Sequence, residues 1–195
     1  MVKLQKKRKG GFFLNTLIKK DNFKKVLCSI LLVFVVIPYI TTFAGDNLAT
    51  TYVPNIKQSK TYWCWNASGV AVLGNRGKSV SQPSFSTTVK GDSTNNATAT
   101  MSEVIRGLSA YGHSSTLTST LTTSRIRSQL SSGKPIVAGY LHATGGHMVV
   151  ISGHDSEGNY LEVMDPAEGK KVYYTPSYFT SNSKWTWKES IYNIN

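Results

Sequence analysis

An almost unbroken apolar run over residues 26–40 follows an N-terminal stretch holding nine Lys or Arg against a single acid, Asp21. Pro38 interrupts any helix near the end of the run, and Thr-Thr-Phe-Ala closes it at Ala44. A basic region, an apolar stretch and a small-residue end make the pattern of a secretory signal cut after Ala44. The 19 residues from Val26 to Ala44 also just reach spanning length, so an uncleaved anchor is the alternative. In both cases the basic flank stays inside and the C-terminal part is exported. That divides the chain into a targeting segment, 1–44, and one domain, 45–195, of 151 residues, enough for a single sizeable core.

The division also reinterprets the charge. The chain carries a net +12, of which +8 lies in residues 1–25, leaving +4 for the exported domain. No basic cluster with interleaved aromatics survives there, which argues against nucleic acid as a partner. Of two cysteines, Cys28 lies in the apolar run and Cys64 stands alone in the domain. An internal disulfide and a cysteine-held zinc are thereby excluded. A lone thiol in an exported protein points to a reactive group, although a cysteine is often only a small buried hydrophobe.

Around Cys64 the sequence reads Gln-Ser-Lys-Thr-Tyr-Trp-Cys-Trp-Asn-Ala-Ser over residues 58–68. The small and apolar residues from Ala67 to Leu73 predict a buried helix beginning near the cysteine and ending at Gly74 to Gly77. A helix N-terminus favours the thiolate, which is the nucleophilic form. Gln58, six positions upstream, offers an amide to a developing oxyanion, as does the N–H of Cys64.

Further along, residues 90–100 read as an exposed polar loop. Ser102 and Glu103 begin a capped amphipathic helix that Gly112 stops, and another helix runs from Ser124 to a Gly133–Pro135 stop. Beyond it the pattern becomes short β-prone runs at 136–141, 147–152, 160–164, 171–174 and 185–194. The class is therefore α+β, a helical first half and a strand-rich second half.

Two residues of the second half complete a constellation. His147 follows two glycines at the head of an apolar strand, where a rigid backbone holds an imidazole able to take and return a proton. His113, His142 and His154 lack such a strand; His154 reads as entering a hairpin turn. Asp165, in Val-Met-Asp-Pro, ends the next β-prone run and can orient that imidazole, although an Asp-Pro turn is common in itself.

In the order Gln58, Cys64-Trp65 with Ala67-Ser68, Gly146-His147 and Asp165-Pro166, the chain resembles the papain-like cysteine peptidases. It is most similar to the compact bacterial branch that includes bacteriocin-processing peptidase domains and papain-like effector proteases. The resemblance implies a papain-like fold with the site in a cleft between helical and strand-rich halves. It makes Gln58 the oxyanion-hole residue, Cys64 the nucleophile, His147 the general base and acid, and Asp165 the orienting residue. It implies no cofactor, a protein or peptide substrate and a monomer, with membrane contact only through an uncleaved N-terminal segment. The expected function is a secreted cysteine endopeptidase working through a thioester, in the medium or on the outer face of the cell membrane. The alternatives are a thiol-dependent amidase or acyltransferase acting on cell-wall peptides, and an inactive binding module presenting Tyr173, Tyr174, Tyr178, Trp185 and Trp187.

Overall fold

The apolar runs Ile136-Val137-Ala138 and Val149-Val150-Ile151 are buried without a break, so the strands carrying them are covered on both faces. The computed structural model describes residues 47–195; the expected signal segment and Cys28 lie outside the described residues. Among the described residues, seven strands form one antiparallel sheet: β1 (Leu48–Thr50), β2 (Thr116–Thr118), β3 (Ile136–His142), β4 (Gly145–Asp155), β5 (Tyr160–Asp165), β6 (Lys170–Tyr174) and β7 (Trp185–Tyr192). Their order is β2-β7-β3-β4-β5-β6, and β1 pairs with the end of β4.

Strand alternation sends neighbouring side chains to opposite faces. Val137, Val150, Met164 and Ile191 face one layer, formed by α1 (Cys64–Asn75), α2 (Gln82–Lys90) and α3 (Met101–Ala110). Ile136, Ala138, Val149, Ile151, Leu161 and Val163 face the other, with α4 (Thr123–Ser131) and α5 (Pro176–Thr180). Helix α1 is buried along Trp65 to Leu73, as its run of small and apolar residues predicts. Its small residues are needed for close packing. A Cβ on Gly69 would lie 2.3 Å from Phe85 Cε1, so only glycine lets α2 approach α1 this closely.

The α+β expectation holds, with a helical first half against a strand-rich second half. Several local readings are corrected. Helix α3 is capped by Thr100 rather than Ser102: Thr100 accepts from the Glu103 N–H, and the Glu103 carboxylate accepts from the Thr100 N–H at 2.8 Å. Helix α4 begins at Thr123 behind a Thr122 cap, one residue before the expected start at Ser124. His154 lies within β4, buried against Arg127 at 3.0 Å, rather than in a turn. The stretch around residues 95–97 is exposed in its side chains, yet its carbonyls are used. Asn95 O accepts from the Trp63 indole at 2.7 Å, and Ala97 O from the Trp65 indole at 3.0 Å. These bonds satisfy the polar tips of two fully packed rings and fix the segment leading into α3.

Candidate active site

Cys64 is the first residue of α1, and Trp63 before it provides no side-chain cap. The N–H groups of the first turn are therefore left for an anion. The Trp65 N–H is one of them, and with the Met148 N–H it favours the charged form of the Cys64 thiol. His147 enters from β4 after Gly145, whose φ of +141° suits glycine as the β3–β4 connection closes. Its ring packs edge-on against Tyr140, its cross-strand partner, with centroids 5.4 Å apart.

Asp165 ends β5, and its Oδ1 accepts from His147 Nε2 at 2.8 Å and from the Ala167 N–H at 2.9 Å. The aspartate thus makes the Asp-Pro turn and holds the imidazole with one oxygen. With Nε2 engaged, the other ring nitrogen is left for Cys64, which favours the charged form of the imidazole.

The electrostatics follow from these contacts. Burial opposes a thiolate at Cys64, but the hydrogen bond and charge of His147, with the two backbone N–H groups, leave the thiol below its ordinary value. Burial likewise opposes an imidazolium at His147. The hydrogen bonds to Asp165 and Cys64 outweigh it and push the group up to about 9. Burial would raise the Asp165 carboxyl, yet its bond to His147 holds it below the usual range. Each shift favours the charged form, so the contacts together stabilise a thiolate–imidazolium pair relative to an isolated thiol and imidazole.

Gln58 sits beside this group in a different posture. Its backbone N–H donates to Pro166 O at 2.8 Å, which ties it to the Asp165 turn. Its Nε2 donates to Lys60 O at 2.9 Å and Thr61 O at 2.7 Å, while Oε1 is buried without a partner among the described residues.

From Cys64 and His147 a groove of about 750 Å³ runs between residues 98–102 and the strand residues Gly139, Leu141 and Met148, reaching Leu117, Lys188 and Glu189. The first wall went unrecognised from sequence, where its signal was the Thr100–Glu103 capping box. The N–H groups of Trp65 and Met148 and the Tyr140 ring were also missed, because only the fold brings them to the pair. Trp185 and Trp187 are packed in the core, so of the aromatics proposed for a contact surface Tyr173 and Tyr178 are exposed.

Residues 50–192 match the Peptidase_C39 like family. Two solved structures share the fold at 20% identity. One is a double glycine motif protease from an AMS/PCAT transporter in complex with the leader peptide, covering 72% of this chain and 94% of that one with a TM-score of 0.55. The other is the peptidase domain of Streptococcus ComA, a bi-functional ABC transporter involved in quorum sensing, covering 70% and 93% with a TM-score of 0.52. No curated protein matches the chain in sequence. With the match spanning nearly all the described residues, the chain belongs to the Peptidase_C39 like family and is a papain-like cysteine peptidase.

Proposed function

We propose that the protein is an exported endopeptidase that cuts peptide bonds through a Cys64–His147–Asp165 triad. The observation that carries this reading is the His147–Asp165 bond of 2.8 Å, with Cys64 and the same imidazole together at the head of a groove. The Cys64 thiolate attacks the carbonyl carbon, and the oxygen becomes an oxyanion facing the Cys64 N–H. Gln58 adds its amide as its contacts to Lys60 O and Thr61 O lengthen. The imidazolium of His147 gives its proton to the departing amine, leaving a thioester on Cys64. His147 then takes a proton from water, whose oxygen attacks the thioester and releases the acid. Asp165 holds the ring in one orientation through both steps.

A similar structure holding a leader peptide supports a peptide as the substrate class. Export rests on the basic and apolar N-terminal pattern, and among the described residues no helix is long and apolar enough to cross a membrane. Incubating the full chain with a random peptide library and mapping the cuts tests the activity. Cleavage that vanishes in Cys64→Ala and His147→Ala is expected, and cleavage surviving in Cys64→Ala would refute the mechanism.

A further inference from the structure

His147 stands between two hollows. One is the groove that contains Cys64. The second, about 370 Å³, shares Tyr140, Gly146 and His147 with the groove but opens toward His142, Asp165, Tyr174 and Trp185. On the peptidase reading above, on which this inference rests, His147 protonates the departing amine. The departing amine meets the ring nitrogen that faces Cys64, and from there the side chain of the leaving residue can cross the ring to the second hollow on the Asp165 side, while the acyl half stays with Cys64.

The walls of this second hollow have a definite chemistry. Asp165 uses Oδ1 for both His147 and the Ala167 N–H, and Oδ2 takes no hydrogen bond from any described residue. Tyr140 and Trp185, nearly buried, stack on each other at 5.1 Å between centroids, and the half-buried Tyr174 meets Trp185 edge-on at 5.5 Å, giving aromatic walls beside the carboxylate. No Lys or Arg lines the hollow. Lys170, the cross-strand neighbour of Asp165, instead directs its Nζ to Glu168 at 3.2 Å. The charges of the Cys64 thiolate and the His147 imidazolium cancel, so Asp165 leaves the reacting group one unit negative. His142 and the phenols of Tyr140 and Tyr174 are the other titratable groups lining the hollow, and the His142 ring is engaged edge-on by Tyr140 at 5.1 Å and Trp185 at 5.9 Å.

We propose that this hollow is the subsite for the residue immediately after the scissile bond, and that it takes a lysine or arginine side chain. The aliphatic stem lies along the Tyr174 ring and the rims of Tyr140 and Trp185, and the cationic head reaches Asp165 Oδ2. A neutral chain of the same length gains only the apolar contact, and an acidic one meets the carboxylate.

The test uses the full chain and a sequence cut in the library experiment, with its acyl half held constant. The residue after the cut is varied among Lys, Arg, norleucine and Glu. Lys and Arg should exceed norleucine by about tenfold in kcat/KM, with Glu slowest. Tyr174→Leu, which removes an aromatic face, should bring the Lys-to-norleucine ratio toward one, and Tyr174→Phe should keep it. Thr144→Lys sets a cation at the exposed rim of the hollow, where folding is not at stake, and should reverse the order in favour of Glu. Cleavage with equal rates for Lys and norleucine, or a Thr144→Lys variant that still prefers Lys, overturns the subsite while leaving the peptidase reading intact. Failure to cut any library peptide refutes that reading and the subsite with it.

Discussion

Ser68 Oγ donates to the carbonyl of Met148 at 3.2 Å, joining the helix that begins with Cys64 to the strand that carries His147. Ser68 lies one helical turn beyond Cys64, the proposed nucleophile, and Met148 follows His147, the proposed base. The bond therefore sets the distance between them. Ser68→Ala should cost about 1 kcal/mol of stability, the ordinary worth of such a bond. It should also lower kcat more than it raises KM, because the reacting pair loses alignment rather than substrate contact. Denaturant unfolding and steady-state kinetics check both, and an unchanged kcat would place the bond outside the catalytic geometry.

The Cys64–His147 pair predicts a definite pH profile. The thiol lies below its ordinary value, so alkylation of Cys64 should already be fast at neutral pH. Hydrolysis should fall as pH rises through about 9, where His147 loses the proton that the proposed mechanism passes to the leaving amine. Asp165→Asn removes the carboxylate that holds this proton, so the alkaline limb should move to lower pH. Asp165→Ala should cost less activity than Cys64→Ala or His147→Ala. The lowered carboxyl also contributes stability that is present above the ordinary carboxylate range and lost as pH falls through its folded value. An alkaline limb that stays in place in Asp165→Asn would contradict the orienting role.

Gly139 predicts a change in substrate binding. An added Cβ would lie 2.4 Å from Met101 Cε, the flexible end of a side chain on the wall of the groove. In Gly139→Ala that methionine must shift into the groove. KM should rise several-fold with a smaller change in kcat, and destabilisation should stay within about 1–3 kcal/mol. A loss of kcat at constant KM would mean that the displaced side chain disturbs Cys64 or His147 instead.

Much of this site is legible in the sequence because its residues lie at places that local pattern marks. Cys64 opens a run of small and apolar residues, His147 follows two glycines into an apolar strand, and Asp165 precedes a proline. Elements held mainly by tertiary contact are harder to read. Helix α2 buries only Phe85 and Ser86 along a Ser- and Thr-rich stretch, so periodicity is weak; its signals are the Ser81 cap and Pro83 in the first turn. Strand β1 has three residues in a polar arm and exists through its pairing with β4. The posture of the Gln58 amide depends on the Lys60 and Thr61 carbonyls, which turn toward it only once the loop before Cys64 is folded.

That posture makes Gln58 a separate test. Its amide should meet negative charge that exists only after Cys64 has attacked, so Gln58→Ala should lower kcat by about 10² to 10³, with KM little changed. Alkylation of Cys64 by a reagent that forms no oxyanion should proceed nearly as in the parent. If alkylation slows as much as hydrolysis, Gln58 serves the loop rather than the transition state.

The central claim is that Cys64 carries the acyl half of the substrate between two chemical steps. Rapid acid quenching of the full chain with an activated peptide ester, followed by intact mass and peptide mapping, observes that species directly. The account predicts one acyl group per chain, on Cys64, that decays at the rate of product release and is absent in Cys64→Ala. Turnover of the ester by Cys64→Ala at the parent rate, or an acyl group mapped to any other residue, would contradict it.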